Sequence, residues 1–165
     1  MFKKLNVLCV DKALICMILF SVLSALTVGY IFYNSSQNSK VSNEKSSAVV
    51  EEIKPIVDPK DQIEEKDFNE FIRKAAHFFE FSVFGFFLGG LMASIYKKTN
   101  RVLISLPLLL SLSVAVLDEF IQSFTGRTSK VMDILIDFGG AITGLLLILL
   151  SLLVIRLIRR KCTVC

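Results

Sequence analysis

Four long apolar runs dominate the chain and leave few folds open to it. Residues 13–33 carry no charge, 75–96 only His77 and Glu80, 102–117 none, and 134–155 only Asp137. A bilayer core of roughly 30 Å takes about 20 apolar residues as a helix, so each run is expected to span a membrane. The third is short, but it lengthens if its helix continues through Asp118 and Glu119 to Gln122; Pro107 is expected to kink it. With 53% of residues apolar, the expected fold is an all-α integral membrane protein of four transmembrane helices. A soluble cytosolic enzyme is not expected, and neither is a nucleic-acid partner; the net charge of +4 selects no partner by itself.

The distribution of Lys and Arg sets the expected orientation, because basic residues are retained on the cytoplasmic side. Lys3, Lys4 and Lys12 precede the first run, Lys97, Lys98 and Arg101 join the second to the third, and Arg156, Arg159, Arg160 and Lys161 follow the fourth. Residues 34–72 instead hold five Lys against nine Asp and Glu. Both termini are therefore expected in the cytoplasm, with 34–72 and the loop after Gln122 outside. The first run is longer than the 7–15 residues of a signal-peptide core and no A-x-A-like site follows it, which points to an uncleaved signal-anchor helix.

Four segments are expected: a cytoplasmic N-terminus and signal anchor over 1–33, a flexible extracytoplasmic linker over 34–67, a three-helix membrane domain over 68–155, and a basic cytoplasmic tail over 156–165. The linker is rich in Ser, Asn, Lys and Glu, contains Pro55 and Pro59, and lacks a sustained apolar period, so it reads as a disordered tether. Cys9, Cys16, Cys162 and Cys165 all fall near predicted cytoplasmic ends, where no disulfide framework is expected. A single terminal C-x-x-C is weak grounds for a zinc or redox role.

The polar residues inside the runs carry most of the functional information. An ionisable group at the centre of a membrane helix costs roughly 2.5–3.5 kcal/mol, so such groups face the bundle interior or water. Arg73, His77 and Glu80 follow i, i+4, i+7 spacing on the second run, as do Asp133, Asp137, Gly140 and Gly144 on the fourth. Asp118, Glu119 and Gln122 close the third, and Arg127 follows in the loop. The expected topology brings all of these polar groups to one extracytoplasmic level. Gly85 and Gly89 lie on a different face from His77 and Glu80 and suggest a second packing interface.

The stretches K-A-A-H-F-F-E-F at 74–81, D-E-F-I-Q-S-F-T-G-R-T-S at 118–129 and D-I-L-I-D-F-G-G-A-I-T-G at 133–144 carry a resemblance. Over about 71–155 the chain resembles the VanZ-like family of small bacterial membrane proteins. The resemblance implies a multi-pass protein of the bacterial cytoplasmic membrane and cell envelope, in a family whose named member is associated with low-level resistance to the glycopeptide teicoplanin. The family's polar positions fall here on His77, Glu80, Asp118, Glu119, Gln122, Arg127, Asp133 and Asp137, the last often Asn in the family.

Together these readings predict a polar pocket that binds, and in one version modifies, a lipid or cell-wall precursor. His77, Glu80 and Glu119 are the acid–base candidates; Arg73, Asp118, Gln122, Arg127, Asp133 and Asp137 are the binding candidates. Expected partners are membrane lipids and a lipid-linked envelope precursor or glycopeptide target, with no cofactor and no metal assigned. A divalent ion on His77 with Glu80, Glu119 and Asp133 stays open as an alternative. A proton-coupled transporter is a competing class, although the cytoplasmic halves of the last three runs lack ionisable groups. A scaffold in which pairs such as Glu119 with Arg127 only fasten helices together is another.

Overall fold

The computed structural model describes residues 2–127 and 130–162, with side chains from Lys12 to Ile158. It contains five helices: α1 (Phe2–Ser35), α2 (Ser39–Val57), α3 (Glu65–Thr99), α4 (Ser105–Phe124) and α5 (Val131–Cys162). All but α2 are long and apolar enough to cross a membrane. Large apolar side chains such as Leu26, Leu109, Phe120 and Leu150 face outward, while Asp118, Glu119, Gln122 and Asp137 are buried. That inversion of the soluble pattern suits a bundle whose solvent is lipid.

Helix α3 occupies the centre, packing most extensively on α5 and next on α1. Its contact with α5 is close because small residues line both sides. A Cβ added at Gly140 would overlap the Phe78 carbonyl, one at Gly144 the Ser82 carbonyl, and one at Gly85 the Ala141 carbonyl. Gly89 continues the seam against Ile148 and Leu145. Both glycine pairs therefore serve one interface, not two: the face that holds Gly85 and Gly89 meets the helix that also delivers Asp137. Phe81, Phe84, Leu88, Ile31, Ala115 and Ala141 form the apolar core around this seam.

Two further expectations change. Helix α4 starts at Ser105, so Pro107 falls in its first turn, where a missing N–H breaks no helical bond, and not in an interior where it would kink the rod. Most of the segment expected to be a disordered tether folds as α2, with the Asn38 side chain accepting from the Val41 N–H at 2.9 Å as its N-cap. The inward stripe of α2 runs Ser42, Ser46, Val50, Lys54, all polar but Val50, so an apolar periodicity does not reveal it. Its partner surface on α3 is polar too: Ser46 donates to Asn69, and Asn69 Nδ2 donates to Ser47 Oγ at 2.8 Å.

Candidate functional site

The last turns of α1 and α4 and the first half of α3 and of α5 meet at one end of the bundle. Each element contributes a short polar stretch bounded by apolar residues, so the polar groups have no other surface to satisfy them. Asp118 is 0% and Asp137 2% exposed, and Asn34 and Ser35 of α1 close the cluster from the side.

His77 lies at the middle. Its Nδ1 is 3.7 Å from Asp118 Oδ2, and its Nε2 is 3.4 Å from Arg127 Nη2. A guanidinium only donates, so Nε2 is assigned as the acceptor and the neutral ring carries its proton on Nδ1, facing Asp118. Gln122 Nε2 donates to the same Asp118 oxygen at 2.7 Å, with Ser35 Oγ 3.4 Å from that nitrogen. Asp118 is thereby held beside the imidazole, but 3.7 Å is too long for a hydrogen bond, and His77 Nδ1 and Asp118 Oδ1 are both buried without a partner.

Burial and the neighbouring Arg73 lower the Arg127 pKa, against Asp118, Glu119 and Asp133, which raise it. It stays charged, because a guanidinium is not deprotonated in proteins. Despite the carboxylates around them, neither Arg73 nor Arg127 has a carboxylate oxygen within 4.0 Å among the described residues. Both Nε atoms are buried without a hydrogen-bond partner. Two guanidiniums kept free of ion pairs are equipped to take an anion.

Two cavities share Arg73, His77 and Arg127 as a common wall. The smaller, about 80 Å³, lies between α3, the α4–α5 loop and α5, and is lined also by Gln122, Asp133 and Asp137. The larger, about 220 Å³, lies between α1, α2 and α3, and includes Asn34, Lys45, Ser46 and Glu80. Asn34 Nδ2 donates to Glu80 Oε1 at 2.8 Å, so Glu80 turns toward α1 while His77 turns toward α4. The three residues read as one stripe thus serve two cavities.

Glu119 is placed differently from the other site candidates. It is 2% exposed, lines neither cavity, and accepts the Lys130 backbone N–H at 2.6 Å, fastening the loop that enters α5. It makes no ion pair with Arg127. At the rim Glu70 joins Lys74 at 2.7 Å and Lys130 at 3.1 Å. Thr128 and Ser129 of the loop motif, and Cys165 of the C-x-x-C, lie outside the described residues.

Among the described residues, the group with metal-ligating geometry is His77, Asp118 and Asp137, with donor atoms within 4.8 Å of one another. This is not the set considered from sequence, in which Glu80, Glu119 and Asp133 accompanied His77. With Nε2 in contact with Arg127, Nδ1 is the nitrogen open to a cation, and it would give up its proton on binding.

Sequence reasoning missed Asn34, Ser35, Lys45 and Ser46. The first two end an apolar run as ordinary interfacial polar residues, and the others belong to a helix that was read as tether.

A family model for VanZ/LLP1 matches residues 18–154. The chain belongs to the VanZ/LLP1 family. The match runs from α1 to α5, further than the 71–155 over which the resemblance was read, and it takes in α2 and the α1 side of the larger cavity. No curated protein and no solved structure matches the chain.

Proposed function

We propose that this VanZ/LLP1 protein uses its polar end to bind an anionic envelope lipid or lipid-linked cell-wall precursor at the extracytoplasmic face, and that this lowers susceptibility to teicoplanin. The observation that carries the reading is the pair of half-buried guanidiniums, Arg73 and Arg127, which make no ion pair among the described residues and whose buried Nε atoms have no partner, on the shared wall of the two cavities. The extracytoplasmic placement follows from the positively charged ends of the opposite loops. If the bound molecule is also modified, His77 on the shared wall of both cavities is the acid–base candidate once Arg127 turns from its Nε2 to hold the anion, with Glu80 beside it.

Teicoplanin and vancomycin susceptibility of a Gram-positive host expressing the wild type, Arg127→Lys or His77→Gln tests this reading, with membrane levels of each protein equalised. Protection by the wild type that both variants lose is the expected result. A wild type that protects no better than an empty vector removes the antibiotic part of the proposal, and variants that protect as well as wild type remove the pocket.

A further inference from the structure

The larger cavity opens sideways. Tyr30, Ala76 and Glu80 line it and also line an apolar groove of about 400 Å³ that continues between α1 and α3 past Leu26, Val83 and Phe87. At the polar end Lys45, Arg73 and Arg127 face the cavity against one carboxylate, Glu80. At the neck, Glu80 Oε2 is buried without a partner while its other oxygen is held by Asn34. Cationic head, acceptor neck and apolar channel thus follow one another along a single path, and the channel faces the lipid side of the bundle.

Resting on the binding proposed above, we infer the class of molecule: a lipid phosphate with a hydroxyl next to the phosphate, of which a monoacylglycerol phosphate is the simplest case. The phosphate meets Lys45, Arg73 and Arg127, the hydroxyl donates to Glu80 Oε2, and the hydrocarbon chain lies in the groove. Guanidiniums suit phosphate because they present paired donors in a fixed fork. Helix α2 forms one wall of the cavity through Ser42, Lys45, Ser46 and Val49, and the groove between α1 and α3 gives the ligand its way in from the plane of the bilayer.

Binding is measured on the purified full chain in non-ionic detergent by native mass spectrometry with four probes: 1-oleoyl-glycerol 3-phosphate, its choline-headed counterpart, glycerol 3-phosphate, and inorganic phosphate. The oleoyl phosphate is expected to bind at least about tenfold more tightly than the other three, because the chain-free probes bury no hydrocarbon in the groove and the choline-headed lipid presents a phosphate with less charge and one fewer free oxygen. Lys45→Ala, at an exposed position of α2, removes a head contact and weakens the oleoyl phosphate about tenfold. Val83→Trp fills the groove and brings the oleoyl phosphate down to the level of glycerol 3-phosphate, whose own binding does not change. Equal binding of the chain-free phosphates, equal binding of the choline-headed lipid, or indifference to Val83→Trp overturns the inference. Failure of the oleoyl phosphate to bind, alongside antibiotic protection that still depends on Arg127 and His77, overturns the lipid class and leaves the pocket reading standing.

Discussion

Arg127 donates to His77 Nε2 while leaving its Nε without a protein partner, so a point charge cannot replace it. Arg127→Lys is expected to reduce ligand binding or antibiotic protection about tenfold, the loss of one charge-assisted hydrogen bond, while shifting thermal unfolding in detergent little. Equal losses in both would assign the residue to structure. Glu119 reverses the expectation. Its contact is with a backbone N–H, which an amide oxygen can also satisfy, so Glu119→Gln is expected to keep both fold and function. Glu119→Leu leaves the Lys130 N–H unpaired and is expected to cost about 1–3 kcal/mol of stability. Loss of protection in a stably folded Glu119→Gln protein would restore it to the chemistry. Spacing alone brought these polar residues to one end of the bundle, because 100° per residue fixes which side chains share a face. It did not separate Glu119 from Asp118, since adjacent residues on one turn point to different neighbours and only the packing tells which meets the loop.

The seam between α3 and α5 gives helix packing its sharpest test. Gly144→Ala drives a Cβ into the Ser82 carbonyl, backbone that cannot yield, whereas Gly139 has nothing within 4 Å of the same added atom. Unfolding measurements are expected to show a loss of about 1–3 kcal/mol for Gly144→Ala and little change for Gly139→Ala. The small-x-x-x-small spacing was legible in the sequence, but the partner of each pair was not, because the spacing records close approach without saying to which helix. Helix α2 was illegible for a related reason: its inward stripe is polar but for Val50 and its partner surface on α3 is polar, so hydrophobic periodicity had little to register. The turn after it can be followed by pH. The Ile63 N–H donates to Asp58 Oδ2 at 2.7 Å, and this bond, with one from the Gln62 N–H, holds the Asp58 carboxyl below its ordinary value of 3.8. A depressed carboxyl contributes stability that is present above the ordinary value and lost as pH falls through the depressed one. Protection of the Ile63 amide, its exchange rate relative to that of an unprotected amide at the same pH, is expected to hold as pH falls to 3.8 and to be lost only below it; loss of protection well above that value would contradict the bond.

At the scale of the molecule, the four spans were plain from the lengths of the apolar runs, and the polar end from their spacing, because hydrophobic thickness and helical pitch are fixed quantities. The orientation carries its own test. A cysteine placed at the exposed Glu51 of α2 is expected to react with a membrane-impermeant maleimide in intact cells, in a background with the native cysteines replaced. Labelling that appears only after permeabilisation would invert the topology. The continuity of the larger cavity with the apolar groove between α1 and α3 has a consequence for how occupancy is controlled. For a lipid ligand entering through the groove, as inferred above, exchange would be two-dimensional. What matters is then the mole fraction of the ligand in one leaflet, not its amount per volume of medium. Dilution of the surrounding water leaves occupancy unchanged, and a shift in leaflet composition changes it directly.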